Sequence, residues 1–420
     1  MQRRIPRLAA GLVAAAGVLA LTACGSGFGG SSSSGSASDG SGLTSSKSAL
    51  TVLIGSSGDA ETAAVKSAVA DWSDSSGTKA TVQAATNLTQ QLSQGFAAKK
   101  PADVFYLGAD TFASYAKNGS LLAYGDQLKN KDDFYPSLVQ NFTYDGKFYC
   151  APKDFSTLQL EINTSMWKAA GLTDSDVPTT WDQLAAVAKK LTKGKVAGLV
   201  TSNEYQRLGA FMVQAGGNLT NDDNTKATVD SDANKQALTF VQQGLKDGWW
   251  KLTKDVGAGW GGEAFGKGLA AMTIEGNWIS GAMQSDFPKI DYKVVPLPEG
   301  PAGKGTLQFT NCWGIAADSP NQAAALKLVE QLTSADDQAA FSKAFGVMPS
   351  IKSAAADYKS QYPQFTAFLD AADYAKGVPT SVGSADVVTD LNSKLAGLKT
   401  ADIDSILSTE QKNLSAVVGG

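Results

Sequence analysis

Leu50-Thr-Val-Leu-Ile54 is a short, apolar, β-branched run, and Gly55-Ser-Ser-Gly58-Asp59 follows it. Apolar residues then recur at Ala63, Ala64, Val65, Ala68, Val69 and Trp72. The first run reads as a buried strand and the second as a helix. The same pair occurs twice more. Ala80-Thr-Val-Gln-Ala84 precedes a helical pattern through Leu88, Leu92 and Phe96, and Asp103-Val-Phe-Tyr-Leu107 precedes one from Asp110 to Lys117. Strand–helix alternation at this spacing predicts an α/β fold with a parallel sheet covered on both faces. In such sheets ligands sit beyond the carboxyl ends of the strands. Ser57, Gly58, Asp59, Gly108 and Asp110 are therefore site candidates by position.

The middle of the chain repeats the theme. Thr157 to Ile162 and Lys195 to Val200 read as strands; Trp181 to Leu191, Leu208 to Val213 and Ala233 to Lys246 read as helices. Asp182 and Asp232 lie near helix starts, where the helix dipole favours an acid. Ile290 to Val295 and Leu307 to Ala316 are apolar runs flanking a Pro/Gly-rich turn, and the C-terminal third reads as mostly helical. No fixed-period repeat is evident, which argues against a solenoid.

The N-terminus carries Arg3, Arg4 and Arg7, then an apolar run from Leu8 to Leu21 too short for a stable membrane span. Leu21-Thr-Ala-Cys24 resembles the lipobox of bacterial lipoproteins. That resemblance implies a signal peptide over 1–23 and a lipid on Cys24, placing the protein outside the cytoplasm on the outer face of the cell membrane. An ordinary secretory signal is the alternative. Gly25 to Ser48 is almost all Gly, Ser and small residues, which predicts a flexible tether over 24–48 with about 30 Å of play.

Removing the signal leaves 33 basic against 40 acidic residues, a net charge of −7. That argues against nucleic acid as a partner. Arg207 is the only arginine after the signal, so no phosphate-clamping cluster is available. Histidine is absent, which excludes Ser-His-Asp and Cys-His catalysis and imidazole metal sites. Cys150 and Cys312 remain, and in an oxidising compartment they are expected to form a disulfide rather than stay as unpaired core thiols. The closed loop of 162 residues would contribute about 5 kcal/mol.

Five further segments carry a family resemblance. They are Pro101 to Asp110, Pro152-Lys-Asp-Phe-Ser-Thr157 with Asn163, Pro178-Thr-Thr-Trp-Asp182, Phe265 to Trp278, and Asn311-Cys-Trp-Gly-Ile315. In order and spacing the chain from Ala49 onward resembles the extracellular solute-binding proteins of ABC sugar importers, the family that includes maltose-binding protein. Ala271-Met-Thr-Ile-Glu-Gly-Asn-Trp278 is the most specific string. The resemblance implies a type II periplasmic-binding-protein-like fold of two hinge-linked lobes closing on a ligand. It implies lobe 1 at 49–153 and 296–345, and lobe 2 at 154–295 and 346–420. It also implies a sugar ligand, membrane permease partners and a monomer, with no catalysis.

Sugars present a CH-rich face and a hydroxyl rim, so they call for aromatic plates beside polar groups. Trp260, Trp278 and Trp313 each sit among glycines or small polar residues, and the family's match to Trp278 stacks on sugar. Trp72, Trp167 and Trp181 read as packing, and Trp249-Trp250 as an anchor. The family places second-lobe contacts around Glu204, Tyr205 and Arg207, although a lone arginine also suits a structural ion pair. Asp154 and Phe155 lie at the first lobe crossing. Asp59, Asp110, Glu275, Asn277 and Asn311 are candidate hydrogen-bond partners, each also a plausible cap or turn residue.

Three other features carry no function. Gly257-Ala-Gly-Trp-Gly-Gly262 matches a dinucleotide fingerprint with no strand before it. Asp222-Asp-Asn224 lacks the rest of a calcium loop, and no G-x-S-x-G elbow is present. No cofactor or metal is expected. The rival readings are a surface glycosidase with a carboxylate pair and the same scaffold holding a non-sugar solute.

Overall fold

The computed structural model describes residues 37–38 and 42–418. The signal segment, Cys24 and most of the tether lie outside the described residues. Strands β1 (Leu50–Ile54), β2 (Ala80–Ala84) and β3 (Val104–Gly108) alternate with helices α1 (Asp59–Ser76), α2 (Leu88–Ala97) and α3 (Ala109–Lys117), as the apolar runs predict. Helix α4 (Pro136–Asn141) then leads to β4 (Ala151–Thr157). Next come β5 (Gln159–Asn163), α5 (Trp181–Leu191), β6 (Ala197–Thr201), α6 (Tyr205–Gln214), α7 (Asp232–Asp247) and β7 (Trp250–Leu252). Helix α8 (Gly261–Gly266), β8 (Ala270–Glu275), α9 (Ile279–Ser285) and β9 (Tyr292–Val295) follow. The chain ends with β10 (Thr306–Ile315), α10 (Gln322–Leu332), α11 (Ala335–Phe345), β11 (Ala375–Lys376), α12 (Ser384–Leu395) and α13 (Ile403–Ser415).

These strands form two separate sheets, apart from two short two-stranded ladders at 37–38 with 44–45 and 143–144 with 147–148. The first has the order β11-β10-β3-β1-β2, with β4 on the other edge of β10. Its β1, β2 and β3 are parallel, and β10 runs antiparallel to both β3 and β4. The second has the order β7-β6-β8-β5-β9, with β6 parallel to β7 and β8 and with β5 antiparallel to β8 and β9. Each sheet has its own apolar core, and a third cluster joins Tyr135, Leu138 and Phe155 to Met348, Tyr358 and Phe368. Residues 36–420 nonetheless form one unit. The architecture is two-lobed α/β.

The crossings between lobes differ from the expected boundaries. The expected strand at Thr157 to Ile162 is two strands broken at Leu158, so Asp154 and Phe155 stay in the first sheet rather than opening the second lobe. The return comes at Thr306 and not at 296. Leu297 still packs in the second core, and Gly300 and Gly305 lie against the Gln214 backbone and side chain. Residues 348–372 pack chiefly on α4 and β4, with Val294 of β9 beside them and the Ala367 carbonyl accepting from Gln159 of β5, whereas α12 and α13 join the second lobe.

The end of the expected tether is also docked. Leu43 is buried, the Thr44 hydroxyl donates to the Ser319 carbonyl at 2.7 Å, and the Asn321 amide donates to the Ser48 carbonyl at 3.0 Å. Leu43 supplies an apolar anchor that the Gly/Ser composition masks. Among the described residues, no helix is long and apolar enough to cross a membrane.

Candidate functional site

A cleft of about 1400 Å³ opens between the carboxyl ends of β1 and β3 on one side and the segment after β8 on the other. First-lobe loops bring Asp59, at the start of α1, and Asp110, in the first turn of α3, to its wall with their side chains exposed. Asn311 faces the same space from β10, where the ladder with β4 shifts register. Across the cleft, the turn after β8 delivers Asn277 and Trp278.

Trp278 is 37% exposed, one of two large apolar side chains exposed to that degree among the described residues. Its orientation is held from behind. The indole Nε1 donates to Glu275 Oε2 at 3.0 Å, and Arg207 donates to the same oxygen from Nε at 3.0 Å and Nη2 at 2.7 Å. The guanidinium lies 5.2 Å from the indole centroid, and Phe309 meets the ring edge-on at 5.6 Å. A side chain at Gly276 would strike the indole, with only 2.2 Å between its Cβ and the ring. Glycine is therefore required by space there, not by backbone angle. Trp278 and Phe309 also border a second recess of about 470 Å³, together with Glu204, Gln206, Arg207 and Asn392.

Beneath Trp278 two carboxylates are buried. Glu161 on β5 accepts the Glu275 backbone N–H at 3.0 Å, and each carboxylate keeps one buried oxygen without a partner. Burial, reinforced by Glu275, pushes the Glu161 carboxyl well above its ordinary range. Burial raises Glu275 too, opposed by Arg207.

The structure separates the predicted site residues. Trp278, Asp59, Asp110, Asp154, Phe155, Asn277 and Asn311 line the main cleft, although Phe155 is mostly committed to the third apolar cluster. Asn277 ties the lobes together: its N–H donates to Ser156 Oγ at 2.9 Å and its amide to the Gly346 carbonyl at 3.0 Å. Glu204 and Arg207 line the recess, and Glu275 is wholly buried as the anchor of Arg207. Three expectations are corrected. Trp313 is buried in the first core, edge-on to Tyr106 at 4.6 Å. Trp260 is not in the cleft; it packs beside Phe265, Ile279 and Met283. Tyr205 is buried with its hydroxyl on Asn218 at 2.7 Å.

Sequence reasoning missed the charged floor of the first lobe. Lys153 is buried between Glu61, at 3.1 Å, and Asp154, with its ammonium 4.4 Å from the Tyr106 ring centroid. Ser57 donates to Glu61 from its N–H and its hydroxyl, both at 2.7 Å, which fixes the loop that carries Asp59. Burial pushes the Glu61 carboxyl up, but Lys153 and the Ser57 hydrogen bonds outweigh it and hold it below its ordinary value. For Asp154 burial wins, and its carboxyl lies higher. The only signal was the adjacent Lys153-Asp154 pair, in a strand that the structure buries along its whole length. Cys150 and Cys312 are disulfide-bonded, as expected. Among the described residues, no group of three or more His, Cys, Asp or Glu could hold a metal ion.

Residues 67–367 match the profile of the family described as bacterial extracellular solute-binding protein, and this chain belongs to that family. A binding protein of Brucella abortus is 25% identical over 321 residues, covering 72% of this chain and 76% of that one. An ABC transporter extracellular-binding protein of Pyrococcus horikoshii is 25% identical over 345 residues, covering 77% and 76%. The fold is shared with the cyclic alpha-maltosyl-1,6-maltose binding protein of Arthrobacter globiformis, with a TM-score of 0.79, 19% identity and coverage of 89% and 99%.

Proposed function

We propose that this chain is the solute-capturing subunit of an ABC importer and that its solute is a mono- or oligosaccharide held between the lobes. The observation that carries the reading is Trp278, an exposed indole in the cleft, fixed from behind by a buried carboxylate and arginine. Such a plate offers its π face to the CH face of a sugar ring. Asp59, Asp110 and Asn311 on the facing lobe offer acceptors and an amide to the hydroxyl rim. Lys153 and Arg207 are already paired with carboxylates, whereas Lys343 lines the cleft without an ion pair among the described residues. A ligand touching both lobes favours the closed arrangement by its differential affinity.

The names of the relatives support the transport role, and the Arthrobacter protein supports carbohydrate as the class of solute. The protein works as a lipid-anchored monomer on the outer face of the membrane, tethered through Cys24, and delivers its solute to permease subunits without performing chemistry. A thermal-shift and calorimetric screen of neutral sugars tests the binding role, because a ligand of the folded state raises the melting temperature. Trp278→Ala abolishes the shift and leaves unliganded stability nearly unchanged. Collapse of the unliganded variant, or unaltered affinity, would sink the reading. Turnover of nitrophenyl glycosides would point to an enzyme instead, and Cys24→Ser releases the protein from the membrane if the anchor is correct.

A further inference from the structure

Strand β10 is bare over one short stretch of one edge. On its other edge β4 pairs with it from Gln308 to Trp313. On this edge β3 pairs only as far as Asn311, opposite Gly108, and the β11 ladder reaches only Thr306 and Leu307 of β10. Gln308, Phe309 and Thr310 therefore meet no strand there among the described residues, and the cleft enters the gap, lined by Gly108, Gln308, Phe309 and Val378.

Two amides close the inner end. Gly377 directly follows Lys376, the last residue of β11, which pairs with Leu307 next to Gln308. A Cβ on Gly377 would lie 2.2 Å from Asn141 Oδ1 and 3.2 Å from its Nδ2, so the Asn141 amide rests directly on that glycine. One turn earlier on the same face of α4, the Ser137 hydroxyl donates to Gln308 Oε1 at 3.0 Å. That bond commits the oxygen and leaves Nε2, which is buried with no hydrogen-bond partner. Gln308 is 1% exposed and Asn141 5%, yet both line the cleft and the Asn141 amide makes no hydrogen bond. Of the two, only Gln308 Nε2 is a buried atom left without a partner, at a cost to the empty protein, while the Asn141 amide opens to the cleft.

We propose that Asn141 and Gln308 form the inner end of the solute site and take an uncharged, hydroxyl-bearing group of the ligand; this rests on the carbohydrate reading above. A hydroxyl donates and accepts at once, as the two amides require. Neither amide brings charge, so a carboxylate or ammonium entering the gap would lose its water without gaining a counter-ion. The niche thus selects for neutral sugars and fixes how far the ligand penetrates.

Asn141→Leu and Gln308→Met keep the volume and remove the polar atoms. The full chain and each variant are titrated calorimetrically with glucose, maltose, trehalose and maltotriose, and unfolded thermally without sugar. Each variant binds the sugar preferred by the wild type at least tenfold more weakly, with an unliganded melting temperature equal or higher. Gly377→Ala, whose new methyl displaces the Asn141 amide, loses affinity in the same direction and covers the case in which either variant fails to fold. Affinities within twofold of wild type in the folded variants overturn the proposal and leave the niche to water. If Trp278→Ala abolishes binding in that event, the carbohydrate reading survives alone. No binding of any sugar by the wild type overturns both.

Discussion

Trp278 and Trp313 have similar sequence surroundings and opposite fates. Small flanking residues around Trp278 leave its indole in the cleft, with Gly276 beneath the ring. Around Trp313 the neighbouring Gly314 admits another ring, since a Cβ there would lie 2.4 Å from Phe105. Likewise the glycines after Trp260 seat its own indole and let α8 approach Thr273 and Glu275. A glycine beside a tryptophan reports close approach, and only the fold decides what approaches. Arg207 was readable as a candidate because it is the only arginine of the body, yet its role is to neutralise Glu275. Removing one member of a buried pair leaves an uncompensated charge, at about 3–5 kcal/mol. Arg207→Met is therefore expected to lower the unfolding free energy at neutral pH by about that amount. Adding Glu275→Gln restores most of it, because a neutral amide still accepts from the Trp278 indole. Denaturant unfolding of the single and double variants checks this. A double variant no more stable than the single one would mean that Arg207 holds the site by other contacts.

At the scale of elements, alternation in the first hundred residues of the body was legible because apolar runs of strand length alternate with helical spacing. The crossings were not, because β4 and β5 form one continuous buried run and differ only in which sheet accepts their hydrogen bonds. Nor was the Lys153–Glu61 pair, whose partners are 92 residues apart. The pairing of β5 with β8 carries a testable consequence, since it sets Glu161 beside Glu275 in a buried sheet. Glu161 is raised in the folded state by burial first and by Glu275 second. The folded protein therefore holds a proton that the unfolded chain releases above its ordinary carboxylate value near 4.5. Stability falls as pH rises through the window above that value. Glu161→Gln removes this dependence while its amide oxygen still accepts the Glu275 N–H. The variant is expected to melt at or above the wild-type temperature at pH 7, with the gap closing as pH falls toward 4.5. A gap that widens on acidification would show that Glu161 is ionised and favourably paired in the fold.

For the whole molecule, the disulfide separates two properties that a hinged binder could have coupled. Cys150 and Cys312 are both fully buried, and their cross-link spans 162 residues that include the whole of the second sheet. In an unfolded chain that span is a large loop, and closing it in advance contributes about 5 kcal/mol to stability. Both sulfurs nevertheless belong to the first lobe, where Cys312 pairs with Leu107 of β3 on one edge of β10 and with Pro152 of β4 on the other. The crossings at Leu158 and Thr306 lie beyond them toward the second lobe. Closure about those crossings therefore does not move one cysteine against the other. Joint replacement by alanine, Cys150→Ala with Cys312→Ala, is expected to lower the unfolding free energy by about 5 kcal/mol. Sugar affinity measured on the folded protein stays within about twofold of wild type, because no lining side chain shifts. Paired denaturation and calorimetric titrations, each with and without reductant, measure the two effects separately. A tenfold change in affinity would place the bond in the hinge itself, and an unchanged unfolding free energy would mean that the denatured chain already keeps the two strands together.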